Sequence, residues 1–323
     1  MAQKAPGKHY RKGITWADLF KMFPDNATAE AWFVEQRWPD GIACPRCGDT
    51  DVHAGSKHPT MPLRCRGCNK RFSVKVGSIM EGSNIDYRTW AIAIYAMSTN
   101  LKGVSSVKLH RDLGITQKSA WYMAHRIRES WTDKQAPFMG PVEVDEMFVG
   151  GLEANKHGNK KTKAGRGTVG KVAVAGVRDR KTGKVVAAPV ASTDKKTLQG
   201  FVQGSMAEGA MVYTDDNKAY DGLLNHDTVK HSVGEYVRDN VHTNGVESFW
   251  AMFKRGHKGT YHKMSKKHLR RYVTEFVGRH NKRPSDTVDQ MGAIVKGMEG
   301  KRLHYAELIA DNGLESGARK ASA

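Results

Sequence analysis

Acidic residues are scarce in this chain of 323 residues: 33 Asp and Glu stand against 52 Lys and Arg, a formal charge of +19. A deficit that large leaves a polyanion as the expected partner class, and nucleic acid is the common one. Long apolar runs are also missing. No stretch of about 18 apolar residues occurs, which excludes a membrane-spanning helix, and the opening residues MAQKAPGKHYRKG hold no apolar signal core, so a soluble cytoplasmic protein is expected. Cysteine is nearly absent, with four residues confined to positions 44 to 68, which argues against a disulfide scaffold spread through the chain. The length itself suggests two or three folded units rather than one core.

The four cysteines form two CxxC pairs, Cys44 with Cys47 and Cys65 with Cys68, separated by 17 residues. A CxxC turn sets two thiolates on one knuckle, and two knuckles supply the four soft ligands of tetrahedral zinc. The spacing predicts a zinc ribbon. Arg46, Arg64, Arg66, Lys70 and Arg71 surround it.

Before the ribbon, ITWADLFKMFPDNATAEAWFVEQRWP predicts two short helices, broken at Pro24 and stopped at Pro39. After it, NIDYRTWAIAIYAMSTN suits a helix with Trp90, Ile94 and Met97 on one stripe. In VSSVKLHRDLGITQKSAWYMAHRIRES, Gly114 divides two helical patterns, Thr116 can cap the second, and Ala120, Met123, Ile127 and Trp131 face inward. This predicts a helix-turn-helix with Gln117, Lys118, Arg126 and Arg128 available to DNA. Residues 1–83 are then an N-terminal ribbon region and 84–135 a DNA-binding region.

From Pro141 the period changes to β. VEVDEMFV, KVAVAGVRD, KVVAAPVAS and AMVYTDD read as strands, with TGK at 182–184 as a hairpin turn and KKTLQGFVQGSM as a helix before the fourth strand. Three antiparallel strands, a helix and a strand parallel to the first are the RNase H-like arrangement. The expected fold class is α+β multidomain: an RNase H-like domain with a mixed sheet over 136–285, preceded by the ribbon and helix-turn-helix, and followed by a tail at 286–323. A basic, glycine-rich insert at 153–169 carries Lys160 and Lys161 as candidate DNA contacts.

Two of these strands end in paired acids, Asp145–Glu146 and Asp215–Asp216. If the strands are neighbours, Asp145 and Asp215 can converge on one cation. On a helix from about Gly245, Val246, Trp250 and Phe253 form the buried stripe, Glu247 sits at its margin, and Lys254 falls about 20° away one further pair of turns along. Carboxylates around Mg²⁺ with a lysine alongside suit phosphoryl chemistry.

These motifs in this order, CPRCG with CRGCNKRFSVKVGSIM, VEVDEMFVGG, VYTDDNKAY and HTNGVESFWAMFKRGHKGTYHKMSKKHLRRYVTEFVGRHNKR, resemble the zinc-ribbon-bearing DDE transposases of bacterial insertion sequences, the ISXO-like group. The resemblance runs from about residue 20 to 310. It implies Asp145, Asp215 and Glu247 as the metal-binding acids for Mg or Mn, with Glu146 and Asp216 as flanking charges and Asn244 as a possible alternative at the third position. It further implies a bacterial cytoplasmic enzyme that binds the terminal inverted repeats, hydrolyses each 3′ end and joins it to target DNA, working as a homodimer or larger assembly. The basic tract with Arg255, Lys258, Lys266, Lys267 and Arg270 would then follow the DNA backbone. A non-catalytic DNA-binding regulator and an RNase H-like nuclease are the alternatives.

Overall fold

The structure, a computed structural model, describes residues 11–132, 136–151, 161, 167–229 and 241–316. In chain order the elements are α1 (Trp16–Met22), α2 (Asn26–Arg37), β1 (Val52–Ala54), β2 (Leu63–Cys65), β3 (Arg71–Phe72), α3 (Tyr87–Thr99), α4 (Ser106–Leu113), α5 (Gln117–Glu129), β4 (Val142–Val149), β5 (Val172–Asp179), β6 (Val185–Val190), α6 (Lys195–Ser205), β7 (Val212–Thr214), β8 (His226–Thr228), α7 (Asn244–Gly256), α8 (Leu269–Lys282), α9 (Thr287–Lys296) and α10 (Tyr305–Ile309). Described residues of 1–100, 104–133 and 282–310 make one compact unit, and those of 101–103, 134–281 and 311–323 make the other.

In the first unit, β1, β2 and β3 form an antiparallel three-stranded ribbon. The helices start where short polar side chains replace missing backbone partners: Asp86 accepts from the Thr89 N–H, Ser105 from Lys108 and Thr116 from Ser119. Gly114 ends α4 in the left-handed region at φ 65°, where a side chain would be strained. The tight α4–Gly–α5 turn expected from the sequence is thus present.

The unit boundaries differ from the expected ones in two respects. Ribbon and helices share a single core, in which Leu63, Cys65 and Phe72 join Phe33, Trp90, Ile94, Met123 and Ile127. The expected tail also belongs here. Met291, Ile294, Val295 and Met298 fall at helical spacing, and they complete this same core. Backbone bonds fix the return: the Ile79 N–H donates to the Met298 carbonyl, and the Gly300 N–H to that of Gly77.

The second unit is built on a five-stranded sheet of order β6-β5-β4-β7-β8. β6, β5 and β4 are antiparallel, while β4, β7 and β8 run parallel, which is the RNase H-like arrangement expected. The turn into β6 passes through Gly183 at φ 69°. Strand alternation decides what each face meets. Val142 and Val144 point into a core with Leu198 and Val202 of α6, whereas Met147 and Val149 point into another with Val246, Phe249, Trp250 and Phe253 of α7. The two apolar faces of one strand therefore sort α6 and α7 to opposite sides of the sheet.

Candidate functional site

The ribbon brings its four cysteines into one cluster whose sulfurs all lie within 4.8 Å of one another, the one such grouping of potential metal ligands among the described residues. Cys44 Sγ is 3.7 Å from Cys68 Sγ, and Cys47 Sγ is 3.6 Å from Cys65 Sγ. A tetrahedron with Zn–S bonds of about 2.3 Å has edges of about 3.8 Å, so the cluster has the dimensions of a zinc site. Burial would raise the Cys44 thiol, but the N–H groups of Arg46 and Cys47, together with neighbouring thiols, outweigh it and hold Cys44 down to about 7. That favours a thiolate at Cys44, whereas at Cys65 the Cys68 N–H is outweighed by burial and the neighbouring thiols, which push that thiol up to about 12.

The sheet sets two of the candidate acids on neighbouring strands, although among the described residues the acids are not gathered as closely as the cysteines. β4 and β7 pair in parallel with Val142 opposite Val212 and Glu143 opposite Tyr213. Continuing that register sets Asp145 opposite Asp215, on the face of the sheet that carries α7. Glu247 lies in the first turn of α7, where its carboxylate accepts from the Thr243 hydroxyl at 2.8 Å. Asp145 records the result: burial first, then the charges of Glu146, Asp215 and Glu247, push its carboxyl up to about 8, against one lowering bond from the Glu146 N–H. A partly buried carboxylate crowded by other carboxylates is what a divalent cation would relieve, and an oxygen-only donor set suits Mg²⁺ or Mn²⁺.

Glu146, one residue on, projects to the other side. Its carboxylate accepts from Asn217 Nδ2 at 2.6 Å and from the Tyr220 hydroxyl at 2.8 Å. Both oxygens are engaged. Asn244 is the first residue of α7 and is exposed; the helix starts one residue earlier than expected.

Two glycines seat α7. Gly176 lies opposite Asp145 on β5, and a Cβ there would come 2.5 Å from Trp250 Cζ2. Gly176→Val is expected to force Trp250 off the sheet and cost about 1–3 kcal/mol or more, read as a lower urea midpoint with an unchanged slope. A midpoint equal to wild type would show that Trp250 is not held there. At Gly245 a Cβ would collide with the Arg178 guanidinium and come 2.5 Å from Glu143 Oε2.

Glu143 was not among the expected site residues. It is fully buried at 0% exposure and accepts from the Val246 N–H at 2.9 Å, Arg180 Nε at 2.9 Å and Arg178 Nη1 at 3.4 Å, with His242 Nδ1 also 3.4 Å away. The available signal was the alternation of VEVDE, which gives Glu143 and Asp145 the same face, together with two arginines in VRDR on the adjoining strand.

The candidate DNA contacts divide. Lys254, Arg255, Lys258, Lys266 and Arg270 are exposed and Lys267 is half-buried, as is the run from the end of α7 through the π-helical turn His257–Tyr261 toward α8 in part. Gln117 and Lys118 are exposed at the start of α5; Gln117 Nε2 donates to the Ser106 hydroxyl and the Lys118 ammonium lies 4.5 Å from the Tyr305 ring centre. Arg126 and Arg128, expected to face DNA, are instead buried at 3% and 2% exposure. Arg126 donates to the Glu81 carbonyl and lies over the rings of Trp90 and Tyr122, so its charge is spent inside the first unit. Lys161 is exposed, while Lys160 and most of the basic insert lie outside the described residues.

Among the described residues, no helix is long and apolar enough to cross a membrane. Residues 137–281 match the ISXO2-like transposase domain, and residues 24–71 match the transposase zinc-ribbon domain. A Halobacterium salinarum protein described as an uncharacterized protein in transposable element ISH50 is 27% identical over 274 residues, covering 79% of this chain and 91% of its own length. A transposase zinc-ribbon domain and an ISXO2-like transposase domain thus follow one another along this chain.

Proposed function

We propose that this protein binds the terminal inverted repeats of its element, hydrolyses the phosphodiester at each 3′ end and joins the freed 3′-hydroxyl to target DNA. The observation that supports this reading is the parallel register of β4 and β7, whose continuation would bring Asp145 opposite Asp215, with the charges of Asp215 and Glu247 both felt at Asp145. Asp145, Asp215 and Glu247 would hold Mg²⁺ or Mn²⁺. A pair of such ions, when bound, activates the attacking oxygen and neutralises the leaving one. Lys254, exposed farther along α7, is suited to hold a backbone phosphate, and Arg255, Lys258, Lys266, Lys267 and Arg270 extend that contact along the strand. Gln117 and Lys118, at the start of the second helix of the pair, are the residues there that can reach a DNA end. Joining two ends to one target requires two such sites, hence a dimer or larger assembly on DNA.

The test is incubation of the zinc-loaded protein with a duplex bearing the element's end, a target duplex and Mg²⁺, with products resolved on a denaturing gel. Expected are a strand cut at the 3′ end and a joined product, both absent without added divalent metal. End binding without any cleavage would make the protein a regulator, and preferred cleavage of an RNA–DNA hybrid would make it a nuclease.

A further inference from the structure

The three acids sit on three separate elements: Asp145 within β4, Asp215 just beyond β7, and Glu247 on α7. Metal ligands must be held to within about half an ångström, so something has to fix the turn and the helix against the strand. Two residues of β4 make the bonds that could do this, and both are glutamates flanking Asp145 in VEVDE.

Glu143 reaches one face. The N-cap of α7, Thr243, makes no side-chain capping bond to the helix backbone, and Glu143 supplies an acceptor from outside by taking the Val246 N–H at 2.9 Å. Arg178 and Arg180 hold the Glu143 carboxylate, and Arg180 also donates to the His242 carbonyl just ahead of the helix. Gly245 leaves the room for this approach. A carboxylate at a helix N-terminus satisfies both an orphan N–H and the helix dipole. Glu247 is one residue beyond Val246, so this bond fixes the turn that carries it.

Glu146 reaches the opposite face. Asn217 and Tyr220, its two donors, bracket the 3₁₀ turn that follows Asp215, and Asp215 Oδ1 accepts from the Asn217 N–H at 3.2 Å. The turn is thereby tied both to Asp215 and to the strand bearing Asp145.

We propose that Glu143 and Glu146 are paired positioning residues of the metal site: Glu143 sets the place of Glu247 through the start of α7, and Glu146 sets the place of Asp215 through the turn at 217–220. The inference rests on Asp145, Asp215 and Glu247 being the ligands, and it gives both flanking glutamates roles distinct from ligation.

The experiment uses the full zinc-loaded chain and two readouts. One is Mn²⁺ binding, followed by the electron paramagnetic resonance signal of free Mn²⁺. The other is amide hydrogen exchange of peptides covering 244–248 and 215–221. Outer-sphere partners of metal ligands are typically worth 10–100-fold in affinity. Glu143→Gln should lose Mn²⁺ affinity in that range and speed exchange at 244–248 alone. Tyr220→Phe, which removes one of the two bonds to Glu146 and is mild enough to fold should Glu143→Gln not, should lose about 10-fold and speed exchange at 215–221 alone. Glu146→Gln, which keeps an acceptor for the Tyr220 hydroxyl, should recover most of what Glu146→Ala loses. In each folded variant, saturating Mn²⁺ should restore turnover to within several-fold. Unchanged Mn²⁺ affinity, or a turnover defect that saturating metal leaves in place, overturns the proposal. A wild-type chain that takes up no Mn²⁺ overturns the ligand assignment instead, and the two failures are told apart because exchange at the two segments would still answer to the variants.

Discussion

Asp145→Asn is expected to lower cleavage of an end-bearing duplex by about 10³-fold or more and, in the same protein, to raise thermal stability when no magnesium is added. The first effect follows from the proposed ligand role, since a bound metal would be worth several kcal/mol at the transition state, each 1.36 kcal/mol being tenfold in rate. The second follows from linkage. The Asp145 carboxyl stands at about 8 in the folded protein, against about 3.9 for an unfolded aspartate. Between those values the folded state holds a proton that the unfolded state has released, so stability falls as pH rises through that window. The loss is complete above about pH 8. Asparagine carries no charge at any pH and escapes it.

Melting the two proteins in parallel, with zinc retained, should show the variant a few °C higher at pH 8, with the gap closing toward pH 4. Added Mg²⁺ should raise the wild type and leave the variant unmoved. A variant that still cuts DNA, or whose melting temperature lies below wild type at pH 8, would sink the assignment. Asp215→Asn and Glu247→Gln should match the loss of cleavage while sparing end binding. An active Glu247→Gln protein would transfer the third position to Asn244, which is exposed at the head of the same helix.

Zinc removal should have the largest effect on stability. Structural zinc binding amounts to about 10–16 kcal/mol in small zinc-dependent peptides, comparable to the whole stability of a domain. The effect should not stop at the ribbon, because Cys44 and Cys65 are buried in the same core as Phe33, Trp90 and Ile94. Chelation, or Cys47→Ser, is therefore expected to abolish the near-ultraviolet circular dichroism contributed by Trp32, Trp38 and Trp90, and to weaken end binding, with one zinc per chain found by metal analysis beforehand. Near-ultraviolet signal and end affinity that survive complete loss of zinc would count against a structural ribbon.

How much of this was legible in the sequence depended on the range of the signal. CxxC spacing is local, and the cluster follows from it. Alternation in VEVDEMFV and helical spacing in NGVESFWAMFK say which residues share a face, and the candidate acids were found that way. Neither pattern says what covers the face. That is why Glu143 was overlooked: its partners Arg178, Arg180 and Val246 lie 35 to 103 residues away in the chain. The same limit makes Arg126 look like a surface cation in the sequence, although it is buried. A guanidinium can be buried where a carbonyl and aromatic rings receive it, and those of Glu81 and Trp90 come from a different stretch. The same limit applies to residues 287–298, whose apolar stripe was visible but whose destination was not.

That destination sets an order of events during synthesis. The first unit draws its core from both ends of the sequence, and Met291, Ile294, Val295 and Met298 complete it. A ribosome reading from the amino terminus will have released the whole β4–α8 segment before those residues emerge, although domains usually close as they leave the tunnel. The core shared by the ribbon and the helix pair is therefore complete only once about residue 298 is available. A chain cut short inside the second unit would lack the residues that complete the core of the first, and so would leave Phe33, Trp90 and Met123 without that cover.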